Sequence, residues 1–281
     1  MNIKQYIKRL FKYLKDGDPQ INLNIAKVTC GHILEGKNVL ITGGGRGLGY
    51  AIAKKCVSEG AQVIITGRNE QTLKSAAESL GNRCKYVVWD IEDLSRMDSF
   101  FCEVNECIKN GYINVLINNA GISNHETSYE VVTKESWDAQ FDINLKGVYF
   151  LTQRYIQYLQ EMNGKSANIV MISSERGLAG DTLPYGLTKA AINSFVQGLS
   201  KHYISRGIRI NAVAPGVTAS DMTGVNEKSN LYHSDSINYR YFIADEVAEV
   251  VSFLISDASN CISGEVIACD QGNYLSRNWR V

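Results

Sequence analysis

A doubly wound α/β domain, with a parallel sheet of about seven strands covered by helices on both faces, is the architecture this sequence predicts. Two observations carry the expectation. From Lys37 to Cys269, short apolar runs alternate with stretches of helical spacing, the order that buries each strand on both faces and joins parallel neighbours through helical crossovers. The first run, Asn38 to Thr42, breaks into Gly43-Gly44-Gly45-Arg46-Gly47-Leu48-Gly49 and resumes with helical periodicity at Tyr50 to Cys56. Ligands of such sheets bind beyond the carboxyl ends of the strands, so this turn marks the functional edge.

The remaining elements follow in order. Residues 62–66 (QVIIT) are β-branched and read as the second strand, 70–80 as a helix, 85–89 as the third strand and 94–109 as a helix. Residues 113–117 (INVLI) form a fourth strand that ends in Asn118-Asn119-Ala120-Gly121. One long helix is expected over 137–160, then a strand at 168–173, a helix at 185–205, a strand at 209–213, a helix at 245–256 and a last strand at 265–269.

No Pro/Gly/Ser-rich linker divides the chain of 281 residues, so residues 36–281 are expected to form one domain. Residues 1–35 precede the pattern as an extension. There Ile3, Tyr6, Ile7, Leu10, Phe11 and Leu14 share one helical face while Lys4, Lys8, Arg9, Lys12 and Lys15 lie elsewhere, the mark of a basic amphipathic helix that stops at Asp16-Gly17-Asp18-Pro19. Three readings stand: packing on its own domain or a partner subunit, peripheral membrane attachment, or a targeting segment, which the absence of serine disfavours. Lys plus Arg equals Asp plus Glu at 29 each, so no global charge favours nucleic acid. The seven cysteines form no CxxC pair and have no histidine at ligand spacing, which points to reduced thiols, no metal and a cytoplasmic protein. No apolar run is long enough to span a bilayer.

The glycine turn lets backbone N–H groups approach a phosphate, and the helix behind it adds unpaired donors and a positive dipole end. A dinucleotide pyrophosphate is the ligand this suits. At the end of the second strand, where an NAD-binding chain places a carboxylate for the ribose, stand Gly67 and Arg68, with Arg46 as a second cation in the turn. Two guanidiniums and no carboxylate favour NADP over NAD, and Asp90 after the third strand suits the adenine edge. Tyr185 and Lys189, four apart at the start of a helix, share a face, where a lysine favours the phenolate and makes the tyrosine an acid or base near neutral pH.

Together these motifs resemble the short-chain dehydrogenases/reductases in their single-domain form, over roughly residues 35–273. Thr42-Gly43 with Gly47 and Gly49 is similar to that family's cofactor turn, Asn118-Asn119-Ala120-Gly121 to its sheet-stabilising motif, Asn144 to its helix asparagine, Tyr185 with Lys189 to its active pair, and Pro215-Gly216 to its nicotinamide loop. The resemblance implies a Rossmann-like fold and an NADP-dependent oxidoreductase. Gly43, Gly45, Arg46, Gly47, Leu48, Gly49, Arg68, Asp90, Ile91, Asn119, Ala120, Gly121, Pro215, Gly216, Val217, Thr218 and Ser220 would line the cofactor, with Tyr185 and Lys189. It further implies that Ser174 holds a substrate carbonyl, Tyr185 donates the proton, Lys189 binds the nicotinamide ribose and tunes Tyr185, and Asn144 anchors a water in a proton relay.

Departures from the pattern are local. Ser174 and Tyr185 are closer than the family's usual interval of about 12 or 13, which leaves Ser173 as an alternative. Ser220 stands where threonine is commoner, and Asp270-Gln271-Gly272 replaces a double glycine. The lid segment 223–241 is polar, with Asn226, Glu227, Lys228, Asn230, Tyr232, His233, Tyr239 and Arg240. That composition favours a polar or carrier-borne carbonyl, a sugar ketone or a 3-oxoacyl thioester, reduced by NADPH. Competing readings are an NAD-linked alcohol dehydrogenase, a non-catalytic NADP-binding sensor or scaffold, and nucleotide-sugar epimerase chemistry, which the short C-terminal region disfavours. By the same resemblance the helices of Asn144 and Tyr185 pack against a second subunit in a homodimer or homotetramer, although Ala190, Ile192, Phe195, Val196 and Leu199 equally suit a core.

Overall fold

In the computed structural model, residues 31–164, 166–220 and 222–276 are described; the expected amphipathic helix lies outside them. Seven parallel strands, β1 (Asn38–Thr42), β2 (Gln62–Gly67), β3 (Cys84–Val88), β4 (Val115–Asn118), β5 (Ala167–Ile172), β6 (Ile208–Pro215) and β7 (Val266–Cys269), pair in the order β3-β2-β1-β4-β5-β6-β7. The expected doubly wound sheet is therefore present, and its order reverses between β1 and β4. The helices are α1 (Gly47–Ser58), α2 (Glu70–Leu80), α3 (Met97–Glu106), α4 (Lys134–Phe141), α5 (Val148–Glu161), α6 (Pro184–Tyr203), α7 (Ala244–Ile255) and the short α8 (Asn273–Ser276).

Because strand side chains alternate, each strand feeds two cores. Leu40, Leu116, Ile169 and Ile210 point to one face, where α3, α5 and α6 cover them with Phe100, Tyr155 and Val196. Trp89 stacks on Phe100 there at 4.3 Å between ring centroids. Val39, Ile41, Val115 and Ile117 point to the other, under α1, α2 and α7 through Ile52, Leu73 and Val251. Leu34, ahead of β1, is fully buried in this second core and its N–H donates to Glu59 O at 3.0 Å, so the chain is already packed on the sheet there.

The single helix expected over 137–160 is instead α4 and α5 joined by a π-helical turn, Asp142–Gly147. A π turn adds a residue without changing the apolar stripe enough for periodicity to register it. It is held from across the sheet: Gly147 lies so close to Ile91 O that an added Cβ would stand 2.7 Å away, while Asn144 reaches across to the backbone of Ile122. No helix among the described residues is long and apolar enough to cross a membrane.

A buried cation closes the far end of α7. Arg209, in β6, donates through Nη2 to Leu254 O (3.1 Å) and Ser256 O (3.0 Å), and through Nη1 to Ser259 O (2.9 Å) and Ile262 O (3.2 Å). Helix-terminal carbonyls lack intrahelical partners and attract positive charge, so the guanidinium joins the Ser259 hydroxyl in pairing the end of the helix. Arg209→Met removes four charge-assisted bonds but leaves each carbonyl its second donor, Ser259 Oγ on Leu254 O and Ser256 O, Ile262 N on Ser259 O and Asn211 Nδ2 on Ile262 O; urea unfolding is expected to report a loss of about 1.5–3 kcal/mol, the usual worth of bonding to a charged group.

Candidate active site

The turn after β1 is shaped by its glycines. Gly43 and Gly47 hold left-handed φ values of +66° and +53°, and a Cβ at Gly49 would collide with Gly43 O and the Asn119 amide. Glycine alone permits that approach of helix to strand. Arg46 occupies the N-cap of α1 with no side-chain cap bond, and no acidic side chain lies in the first turn. The helix therefore presents its first N–H groups and positive dipole end to the crevice, the donor set that an anion requires.

Asn119 locks this turn to the neighbouring strand. Its Nδ2 donates to Thr42 O at 3.0 Å and Gly43 O at 3.1 Å, while Thr42 Oγ1 accepts from the N–H groups of Asn119 and Ala120, both at 3.0 Å. Asn118 turns the other way and donates to Thr152 Oγ1 at 3.0 Å, tying β4 to α5. At Gly121 the absent side chain matters: an added Cβ would lie 3.2 Å from Asn144 Oδ1 and 3.5 Å from Lys189 Nζ, so those two groups meet beside it. Asn144 itself accepts from Ile122 N (2.8 Å) and donates to Ile122 O (2.9 Å), holding the loop after β4 in place.

Pro184 starts α6, which puts Tyr185 in the first turn and Lys189 one turn below it. Lys189 Nζ lies 5.6 Å from the centroid of the Tyr185 ring and donates to Ile172 O at 2.8 Å. Burial lowers its ammonium to about 8. Burial raises the Tyr185 phenol; a hydrogen bond with Ser174 and the charge of Arg176 oppose this, and Glu175 adds to the rise. The phenol thus keeps its proton at neutral pH beside an ammonium ready to receive the negative charge it would leave.

The two serines differ in their partners. Ser173 Oγ is spent on Asn193 Oδ1 (2.6 Å) and Lys189 O (3.3 Å), whereas Ser174 faces Tyr185. The short Ser174–Tyr185 interval is taken up by a tight loop. Arg176 grips Asp181 with a two-pronged pair at 2.5 and 2.6 Å, and Asp181 Oδ1 also accepts from Thr182 N and Leu183 N. Burial pushes the Asp181 carboxyl up, but Arg176 and those amides outweigh it and hold it below its ordinary value. The loop then packs Asp181 onto Gly186, where a side chain would collide. Neither the Arg176–Asp181 pair nor Asn193 was foreseen from the sequence; the shortened interval was the only signal.

The other expected residues lie along the same carboxyl edge. Gly216, after β6, donates its N–H to Cys269 O at 3.0 Å and packs on the Phe242 ring, and Thr218 Oγ1 donates to Gly216 O at 2.9 Å. The segment then folds over the glycine turn, with Ser220 Cβ 4.0 Å from where a Gly47 Cβ would be. His125 Nε2 lies 2.7 Å from Met222 O and links the loop after β4 to the lid. Arg68 and Asp90 stand apart from the tyrosine, at the ends of β2 and β3. Arg68 is 63% exposed and 4.0 Å from Asp90 and 3.9 Å from Glu92, long and exposed pairs that hold it weakly.

A family model described as enoyl-(acyl carrier protein) reductase matches residues 43–273. The 3-oxoacyl-(acyl-carrier-protein) reductase of Aquifex aeolicus is 33% identical over 249 residues, 86% of this chain and 98% of that protein. The gluconate 5-dehydrogenase of Gluconobacter oxydans is 30% identical over 251 residues, 86% of this chain and 96% of that protein. A crystal structure of the 3-ketoacyl-(acyl-carrier-protein) reductase of Brucella melitensis complexed with NADH superposes with a TM-score of 0.78 at 26% identity, covering 86% of this chain and 99% of that one. With the family model spanning most of the chain, and the glycine turn, the Asn119 lock and the Tyr185–Lys189 pair all within it, this chain belongs to the short-chain dehydrogenase/reductase family of oxidoreductases.

Proposed function

We propose that the protein is an NADPH-dependent ketoreductase acting on a 3-oxoacyl thioester. The observation that carries this reading is the triplet of Ser174, Tyr185 and Lys189, the serine and lysine buried and the tyrosine half-buried, with the phenol protonated and the ammonium below it, at the carboxyl end of β5. When bound, NADPH supplies the hydride that reaches the carbonyl carbon. The uncapped start of α1 fits its pyrophosphate, with Arg46 alongside. Arg68 beside Gly67 would meet a 2′-phosphate by giving up its exposed pairs with Asp90 and Glu92, and Asp90 and Ile91 would border the adenine.

The chain's own residues then handle the oxygen. Ser174 donates a hydrogen bond to the substrate carbonyl, and Tyr185 transfers its proton to that oxygen as the carbon accepts hydride, completing the alcohol. Lys189 stabilises the phenolate left behind and orients the nicotinamide ribose. Asn144 fixes the Gly121–Ile122 loop beside Lys189 and so shapes the path by which water returns the proton.

The acyl thioester draws support from the named activity of the Aquifex and Brucella relatives. It also draws support from the lid, which despite its polar sequence exposes Ile237 and Tyr239, with Met222 exposed just before it. Its other polar side chains and the Gluconobacter relative favour a sugar ketone as the second reading. We further assign the exposed aromatic face around Trp137, Tyr149, Phe150 and Phe195 to contact with a second copy of the chain. Tyr149 stacks on Phe195 at 4.9 Å, and Trp137 on Phe141 at 4.2 Å, yet Trp137, Tyr149 and Phe150 remain 39%, 43% and 40% exposed. Ile192 and Val196 belong to the core, so α6 divides its apolar residues between inside and outside.

Three outcomes are expected. Tyr185→Phe retains NADPH binding but reduces acetoacetyl-coenzyme A about 10²–10⁴-fold more slowly, the usual contribution of a positioned acid; an unchanged rate overturns the mechanism. Arg68→Ala weakens NADPH binding about 10–100-fold with little effect on NADH, as read by fluorescence transfer from protein to nicotinamide. Light scattering finds a dimer or larger assembly at micromolar concentration, and Tyr149→Glu with Phe150→Glu shifts it to the monomer; a monomeric parent rules the interface out.

A further inference from the structure

The replacement of a double glycine by Asp270-Gln271-Gly272 acquires a purpose in three dimensions. Asp270, almost wholly buried, folds this segment into a turn by accepting from Gly272 N at 2.9 Å and Tyr274 N at 2.8 Å. The turn presents two side-chain amides to the lid. Gln271 holds a left-handed φ of +51°, where glycine is unstrained and other residues are not, and its Oε1 accepts from Asn238 Nδ2 at 2.6 Å. Asn273, only 4% exposed, accepts through Oδ1 from Ile237 N at 2.9 Å and donates through Nδ2 to Glu175 Oε2 at 2.7 Å. Glu175 is itself buried and directly follows Ser174.

We propose that Asn273 is a positioning residue that joins the tip of the substrate lid to the strand end bearing Ser174, so that the pocket roof and the carbonyl-binding serine are set together. The inference rests on the ketoreductase reading for its kinetic consequence. Its chemistry rests on the bridge alone. A carboxylate accepts and a peptide N–H donates, so the side chain between Glu175 and Ile237 must donate on one side and accept on the other, which an amide does. Gln271 makes a second tie one residue along the lid, and the two together account for a side chain being kept at a glycine-favouring position.

The test inverts one partner and then both. Asn273→Asp keeps the acceptor for Ile237 N but sets two carboxylates against each other. It is expected to raise the KM for acetoacetyl-coenzyme A roughly tenfold with a smaller change in kcat, and to speed hydrogen exchange across residues 231–242. Adding Glu175→Gln supplies a donor from the other side, so Glu175→Gln with Asn273→Asp is expected to recover both the KM and the slow exchange. Unchanged exchange in Asn273→Asp, or a double variant no better than the single one, overturns the bridge. Should the unaltered protein fail to reduce the probe, the ketoreductase reading alone falls, and the exchange measurements still decide the bridge.

Discussion

The Asn119 side chain, gripping the carbonyls of Thr42 and Gly43 across the gap between β4 and β1, is the interaction on which the site depends. The sheet order reverses at that gap, and crossovers leave it towards opposite faces, so nothing in the helical layers closes it. Without a tie the glycine turn would have to carry its left-handed residues and the start of α1 unaided. With it, the crevice has a fixed floor. Thr42 answers with its hydroxyl, so the two strands hold each other reciprocally. The same residue explains why Gly49 can bear no side chain, since the Asn119 amide fills that space.

Electrostatics at the other wall follows from burial. Lys189 has lost most of its water, and its hydrogen bond to Ile172 O replaces only part of that solvation, so its ammonium falls to about 8. The loss is useful because a poorly solvated cation interacts strongly with an anion forming nearby. Tyr185 moves the other way, holding its proton until a reaction demands it. From the sequence we expected the lysine to draw the proton off the phenol. In the folded chain the downward influences come from Ser174 and Arg176, while the lysine sits under the ring.

Much of this was legible in the residues. All seven strands announced themselves through apolar, largely β-branched runs; the five inner ones, buried on both faces, have little freedom of composition. The site motifs were legible because glycines and paired polar groups at fixed spacing have few other uses. What was not legible is what depends on distance in space. The π turn at Asn144 packs on Ile91 and bonds Ile122, which follow other strand ends. Arg209 reads as an ordinary charge at the start of a strand, yet it closes a helix that lies some fifty residues further along the chain. Ser173 and Ser174 are equivalent as letters, and only Asn193, on the facing helix, separates them.

The strand order also governs how the chain is made. β1 is synthesised first of the seven, yet it belongs between β2 and β4. As the polypeptide emerges, β2 covers one edge of β1 early, but the other edge, with Val39, Leu40 and Ile41, stays open until Val115 to Ile117 have been added. An apolar strand edge left waiting in this way invites pairing with another chain. An interior strand of the finished domain, β1, is thus the most vulnerable one during its biogenesis, and the strand order that places it there lengthens the interval in which nascent chains need protection from one another.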